Sequence, residues 1–90
     1  MQIVMYDIAS DRRLYRVERI CEDYGVRIQQ SVFECDLSEK DFADMWQRLA
    51  DTIDEDEDRV TCYSICSGCL KRKRTMGVQA AHGRGQALVF

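Results

Sequence analysis

The sequence predicts one α+β domain in which two helices lie on the same face of an antiparallel β-sheet. Three observations predict this fold. The chain has 90 residues, which is enough for one domain. Two stretches space their apolar residues at helical intervals, and the stretches between them are rich in β-branched and aromatic residues. The chain also contains no proline, so long helices and strands can run without that breaker.

The first strand and the first helix occupy the N-terminal part of the chain. Residues 2–8 are mostly apolar and predict a buried strand. Ser10 or Asp11 is suited to cap the helix that follows, and Gly25 is suited to the C′ position that ends it. The apolar stripe of this helix comprises Leu14, Val17, Cys21 and Tyr24.

The next stretch predicts two strand segments with a break between them. Its apolar residues first follow one alternating parity, at Val26, Ile28 and Val32. They then follow the other parity, at Phe33 and Cys35. A change of parity moves side chains to the other face of a sheet, so we expect a bulge or a tight hairpin near residues 29–30.

The second helix has the clearest signals in the chain. Ser38 is suited to cap it, and acidic residues crowd its first turn. Helical spacing continues to residue 53. Its predicted core face comprises Phe42, Met45, Trp46, Leu49 and Ile53.

The last third predicts one further strand and a tail. The acidic run at residues 54–58 predicts a loop, and residues 59–65 predict a strand. A short apolar piece follows at residues 76–78. The terminal sequence QALVF, beyond a glycine-containing tether, predicts an extra strand that pairs with an exposed sheet edge, although a frayed tail is the alternative. We therefore place the folded domain at residues 1–78 and the tether with its edge strand at residues 79–90.

This element order is that of the ferredoxin-like βαββαβ fold, with both helices on one face of the sheet. The other face of such a sheet has no cover within the domain. An apolar uncovered face on a small domain predicts that a second copy of the chain buries it, so we expect a homodimer.

The charge distribution is more informative than the net charge of −3, which by itself disfavours a nucleic-acid-binding protein. Residues 28–58 hold two basic residues against eleven acidic ones. Residues 59–90 hold six basic residues and no acidic residue. A dimer can gather its basic parts onto one surface.

The sequence predicts a soluble, cytoplasmic protein without membrane association. No stretch approaches the apolar length of a transmembrane helix, and the N-terminus becomes polar too early for a secretory signal. The five cysteines are an odd number, which favours reduced thiols over a disulfide framework. Cys66 and Cys69 have the C-x₂-C spacing of a zinc half-site or a redox pair, and Cys62 and His82 are candidates to complete a zinc site. The interpretation we favour is that the thiols are small buried groups.

Four stretches together resemble the second core family of CRISPR-associated proteins: MYDIASDRR, YGVRIQQSVFE, LSEKDF and YSICSGCLKR. The resemblance covers residues 1–78. It implies a ferredoxin-like homodimer, in many members with metal-dependent nuclease activity on RNA or DNA. It also implies a role in spacer acquisition, in which one dimer bridges two dimers of the CRISPR-associated integrase in a heterohexamer-type complex and holds protospacer DNA.

Asp7 is the candidate metal ligand, because it ends the first strand, where a side chain can leave the sheet and face a ligand. One carboxylate is a poor site for Mg²⁺, which prefers octahedral oxygen ligation. The resemblance implies that two Asp7 residues share the ion across the dimer. The alternative is that Asp7 caps the following turn.

The resemblance also assigns catalytic positions to Tyr6, Arg16, Arg27 and Phe33. An arginine suits phosphate oxygens, and an aromatic ring either stacks on a base or fills the core. Core packing is as good an interpretation for Phe33 as function is.

The candidate nucleic-acid contacts form two basic groups. One lies on the first helix, and a solvated helix face is its alternative interpretation. The other is the KRKR run, whose cations would displace counterions from phosphates. The two groups are Arg12, Arg13, Arg16 and Arg19, and Lys71, Arg72, Lys73 and Arg74.

Three functions stay open at this level. The first is a Mg²⁺-dependent endonuclease acting on DNA or single-stranded RNA. The second is a non-catalytic scaffold that clamps duplex DNA and binds the integrase. The third is a toxin-type nuclease outside CRISPR.

Overall fold

Strands and helices follow the predicted order βαββαβ over residues 1–77, which the computed structural model describes. The strands are β1 (Gln2–Asp7), β2 (Gly25–Gln29), β3 (Val32–Cys35) and β4 (Arg59–Ser64). The helices are α1 (Asp11–Tyr24), α2 (Glu39–Thr52) and the one-turn α3 (Ser67–Leu70). The sequence predicted all of these elements except α3.

The four strands form one antiparallel sheet in the order β2-β3-β1-β4. Strand β1 lies inside this sheet and pairs on both sides, so that Val4 is opposite Phe33 of β3 and also opposite Cys62 of β4. This order, with the two long helices, is the ferredoxin-like fold that the sequence predicted.

The break predicted near residues 29–30 is both a hairpin and a bulge. Gln30 and Ser31 form the turn between β2 and β3. The pairing register then shifts between Arg27 and Gln29, so that Ile28 is an extra residue on β2. The apolar residues of the two parities lie on opposite faces of the sheet, because Val26 pairs with Glu34 whereas Phe33 pairs with Arg27.

The hydrophobic core lies between the helices and one face of the sheet. Both helices begin at the predicted serine caps, because the Ser10 and Ser38 hydroxyls accept hydrogen bonds from backbone N–H groups of the first turn. Trp46 departs from the prediction: it is 38% exposed and stacks on Phe42 at the rim of the core, with ring centroids 5.6 Å apart. The buried core comprises Val4, Tyr6, Val17, Ile20, Cys21, Phe33, Cys35, Met45 and Leu49.

Helix α1 ends at Gly25 as predicted, but Gly25 does not have the left-handed backbone that is usual for a C′ glycine. The backbone of Gly25 is extended, with φ −158° and ψ −168°, and is not left-handed. A Cβ atom at this position would collide with the backbone carbonyl of Glu34 and with the sulfur of Cys35. Glycine is therefore required by the close approach of β3.

A buried carboxylate joins the loops at one end of the sheet. The side chain of Asp58 has no solvent-exposed surface. It accepts hydrogen bonds from the backbone N–H groups of Ala9 and Asp54, both at 2.9 Å, and from Nε of Arg13 at 2.7 Å. The hydrogen bond from Arg13, with those from the backbone, lowers the pKa of Asp58. The acidic run therefore ends in a structural residue that fixes the loop after β1.

No strand forms between the end of α3 and Gly77, the last described residue. Val78, which belongs to the short apolar piece, lies outside the described residues, as do the tether and edge strand predicted at residues 79–90. Over the described part of the chain, no helix is long and apolar enough to span a bilayer.

Replacement of Gly25 tests the close approach of β3. We expect Gly25→Ala to lower the free energy of unfolding by about 1–3 kcal/mol, the usual cost of overpacking, because the new methyl group meets backbone that cannot move freely. Urea unfolding followed by circular dichroism measures this change. Gly68→Ala is the matched control, since a Cβ there meets only the Cys66 sulfur, at 3.9 Å. Equal effects of the two substitutions would contradict the assignment.

The Asp58 contacts predict a pH-dependent stability. The pKa of an aspartate in an unfolded chain is about 3.9. The pKa of Asp58 in the folded state is lower. Its contribution is therefore complete above the unfolded pKa and is lost as the pH falls through the folded pKa. We expect Asp58→Asn to lower the melting temperature by several degrees at pH 7 and by less at pH 3. Asp56→Asn, in the same loop, is the control for loss of charge, and an Asp58 effect that does not change with pH would refute the argument.

Candidate active site and nucleic-acid interface

Asp7 ends β1 and is exposed to solvent. Successive side chains of a strand point to opposite faces, so Asp7 shares a face with Ile3 and Met5, and the buried Val4 and Tyr6 point to the helices. We call this outer side, which the helices do not cover, the open face. Across the β1–β4 pair, Asp7 lies opposite Arg59. Asp7 makes no ion pair within 4 Å over residues 1–77.

The carboxylate of Asp7 is a hard oxygen ligand of the kind that Mg²⁺ prefers. Residues 1–77 of the same subunit do not complete a site around it, because they contain no group of three or more His, Cys, Asp or Glu side chains placed to hold a metal ion. The donor chemistry of Asp7 therefore fits Mg²⁺, and an ion there needs ligands besides those of residues 1–77.

Tyr6, Arg27 and Phe33 lie together on the helix-facing side of the sheet. The rings of Tyr6 and Phe33 stack with centroids 6.2 Å apart, and the Arg27 guanidinium lies over the Phe33 ring at 5.3 Å. Tyr6 and Phe33 are both buried. The structure thus brings these three predicted catalytic residues together, but in one subunit their side chains and that of Asp7 lie on opposite faces of the sheet.

This cluster fixes the β2–β3 turn against the end of β1. The Tyr6 hydroxyl donates to the carbonyl of Gln30 at 3.1 Å, and Nη1 of Arg27 donates to the same carbonyl at 2.9 Å. The backbone N–H of Tyr6 donates to the carbonyl of Ser31 at 3.2 Å. Arg27 also forms an ion pair with Glu18 of α1 at 3.3 Å. Burial raises the pKa of Tyr6, so this phenol stays protonated as a donor.

The arginines of α1 separate into two kinds. Arg13 is held by Asp58 at 2.7 Å and Glu57 at 3.0 Å, so its charge is neutralised inside the fold. Arg19 lies 3.9 Å from Glu22. Arg12 and Arg16 are exposed, and neither lies within 4 Å of a carboxylate in the described part of the chain.

Arg16 also lines a groove of about 380 Å³ between α1 and α2. Arg19 and Arg48 line the same groove, so three guanidinium groups lie close to it. Arg48 is paired with Asp23 at 3.2 Å. The groove therefore carries its unpaired positive charge on Arg16.

The KRKR run follows α3 directly. Lys73 reaches back to Glu34 of β3, with 3.0 Å between Nζ and Oε2, so it is already paired. Lys71, Arg72 and Arg74 are exposed, and none of the three has a carboxylate within 4 Å among residues 1–77. These three cations remain available to a polyanion.

The cysteines of the C-x₂-C pair are not buried, which corrects the interpretation favoured from the sequence. Cys66 and Cys69 are both exposed, whereas Cys21 and Cys35 are buried. The described residues supply no third and fourth zinc ligand. The remaining candidate ligand, His82, lies outside them.

Sequence reasoning did not identify two charged residues near Asp7. Asp58 belongs to a run of acidic residues, and no spacing within that run distinguishes the one that is buried. Arg59 lies opposite Asp7 only because β4 pairs with β1 in this register. No pattern in the neighbouring sequence predicts the burial of Asp58 or the pairing of Arg59 with Asp7.

Comparison with known sequences identifies the family. The model of the family described as CRISPR associated protein Cas2 matches residues 1–73. A relative from Chloroflexus aurantiacus named CRISPR-associated endoribonuclease Cas2 1 is 36% identical over 76 residues, covering 83% of this chain and 82% of the relative. A relative from Moorella thermoacetica with the same name is 33% identical over 81 residues, covering 84% of each chain.

Solved structures agree with the sequence comparison. The crystal structure of Streptococcus pyogenes Cas2 at pH 6.5 matches with a TM-score of 0.73 and 36% identity, over 86% of this chain and 100% of that one. A hypothetical protein from Thermus thermophilus matches with a TM-score of 0.77 and 31% identity, over 87% and 90% of the two chains. The matched family model, the sequence identities and the shared fold lead to one conclusion: this chain belongs to the CRISPR-associated protein Cas2 family.

Proposed function

We propose that this chain is a homodimeric, Mg²⁺-dependent nuclease of a CRISPR system that acts on RNA or DNA. The names of its relatives support a nuclease, since those from Chloroflexus aurantiacus and Moorella thermoacetica are called endoribonucleases and one from Halalkalibacterium halodurans is called an endonuclease. The family assignment favours this function over a toxin-type nuclease outside CRISPR.

The observation that carries the proposal is the position of Asp7 on the open face. This face carries exposed apolar surface: Ile3 and Met5 lie on it, and the side chains of Val26 and Tyr63 are 45% and 57% exposed. A second copy that covers such a face removes this surface from water. In a symmetric dimer the same residue is supplied twice, so the proposed arrangement brings two Asp7 carboxylates to one ion.

The residues of the chain then have distinct roles in the proposed reaction. The bound Mg²⁺ supplies an activated water and polarises the phosphate. Asp7 holds the ion, and the unpaired Arg16 contacts phosphate oxygens. Tyr6, Arg27 and Phe33 are positioning residues, because their contacts hold the β2–β3 turn beside the end of β1.

A second function is favoured by the unpaired cations. Arg12 and Arg16 on α1, and Lys71, Arg72 and Arg74 after β4, have no carboxylate partner over residues 1–77. We propose that they contact the backbone of duplex DNA, so that the dimer holds protospacer DNA and bridges two integrase dimers during spacer acquisition. This role needs charge and shape, and it does not need Asp7.

Substitution of Asp7 separates the two functions. We expect Asp7→Asn to reduce Mg²⁺-dependent cleavage of RNA or DNA by more than about 100-fold, because even changes outside the first ligand shell of a metal cost about 10- to 100-fold. The same variant should keep its dimer mass, its binding of duplex DNA and spacer acquisition. Asp11→Asn, which removes a nearby exposed carboxylate, is the control and should cleave normally. Cleavage that persists in Asp7→Asn, or without a divalent metal, would falsify the metal site.

Salt dependence of binding tests the phosphate contacts. We expect Arg16→Ala to reduce the slope of log K against log salt concentration for duplex DNA by about 1, because one fewer counterion is released. Lys40→Ala is the matched control: it removes one exposed positive charge that is paired with Asp44 on α2, so the slope should not change. Fluorescence anisotropy at several salt concentrations gives both slopes. Equal slopes for the wild type and Arg16→Ala would remove Arg16 from the interface.

A further inference from the structure

Two exposed thiols lie together in the turn after β4. Cys66 is the N-cap of α3, and Cys69 lies within that helix. The backbone N–H of Cys69 donates to the sulfur of Cys66 at 3.4 Å. Hydrogen bonds from the backbone and then from the thiol of Cys69 lower the pKa of the Cys66 thiol. Cys66 is therefore activated as a nucleophile, and Cys69 lies beside it.

The other three cysteines have a different environment. Burial raises the pKa of Cys21 to about 12 and that of Cys35 to about 11. Burial also raises the pKa of Cys62, which is half-buried on β4. A thiol that is protonated and enclosed is a poor nucleophile, so thiol chemistry concentrates at Cys66.

The two thiols line an open cleft of about 480 Å³. Ile65 and Leu70 contribute apolar surface to this cleft, and Lys73 and Arg74 contribute positive charge. Lys73 is paired with Glu34, but Arg74 has no carboxylate within 4 Å in the described part of the chain. The cleft is large enough for a small molecule and favours an anionic one.

We propose that Cys66 and Cys69 form a thiol–disulfide exchange site whose substrates are small anionic disulfides such as oxidised glutathione. The thiolate of Cys66 attacks one sulfur of the small disulfide. The S–S bond of that molecule breaks, one small thiolate leaves, and a mixed disulfide remains on Cys66. Cys69 then loses its proton to solvent and attacks the Cys66 sulfur, which expels the second small thiolate. Two protein thiols have become one disulfide, and the small disulfide has been reduced to two thiols.

The local geometry allows this ring to close. The Cys66 sulfur lies 3.4 Å from the backbone nitrogen of Cys69, and a disulfide requires Cβ atoms about 3.5–4.5 Å apart. The required movement is small. Helix α3 has no buried residue, so this turn can adjust without disturbing the core.

The experiment uses the full reduced chain and mixtures of reduced and oxidised glutathione. Free thiols are then alkylated, and mass spectrometry identifies the modified cysteines. We expect Cys66 and Cys69 to lose their reactivity together and to form a disulfide within one chain, and dithiothreitol should restore both thiols. In Cys69→Ser the second step is blocked, so one glutathione should accumulate on Cys66. In Cys66→Ser modification of Cys69 should be at least about tenfold slower.

Cys62→Ser is the control, since it removes a half-buried thiol and should leave the pattern unchanged. The proposal is overturned if Cys66 and Cys69 stay fully alkylatable at every glutathione ratio. It is equally overturned if the disulfide joins two chains, or if Cys69→Ser acquires glutathione at Cys62 instead of Cys66. All of these outcomes are read from the protein mass and do not depend on nuclease activity, so they are independent of the proposed function.

Discussion

The alternation of side chains along β1 decides which residues enter the core and which lie on the open face. Strand β1 pairs with β3 on one side and with β4 on the other, so a slip by one residue would disturb both ladders, turn Val4 and Tyr6 outward and turn Asp7 towards the helices. Val4 and Tyr6 must therefore face the helices. Asp7 must face the opposite way, on the open face. One strand thus fixes both the aromatic core and the exposed carboxylate.

The open face connects the fold to the proposed chemistry. An isolated domain of this size buries only a modest part of its surface, and this one leaves Val26 and Tyr63 largely exposed on the outer side of its sheet. Asp7 lies on the same side, and residues 1–77 supply too few ligands around it to hold a metal ion. Association of two copies would cover the exposed apolar surface. It would also double the number of carboxylates near a metal ion. This is why the proposed activity requires a dimer.

The basic residues separate according to what they already contact. Arg13, Arg27 and Lys73 are bound to carboxylates of the same chain and hold loops, a turn and the C-terminal segment in place. Other cations on α1 and after β4 have no such partner over residues 1–77. Only cations that are not paired within the chain are available to phosphates. The number of basic residues therefore exceeds the number that can contact a nucleic acid. A net charge of −3 is compatible with a local basic surface, because the excess of acidic residues lies at residues 28–58 and the unpaired cations lie on α1 and after β4.

Local signals in the amino-acid sequence were sufficient to predict the order of elements, the serine caps, the β2–β3 break and most of the core. These features follow from local periodicity and capping, which a single stretch of chain carries. The tertiary structure decided the rest, because each remaining feature depends on distant residues. Burial of Asp58 requires Arg13 and Ala9, the need for Gly25 comes from β3, and the partial exposure of Trp46 depends on how α2 packs against the rest of the domain. The exposure of Cys66 and Cys69 likewise depends on packing, because the one-turn α3 has no buried residue within residues 1–77.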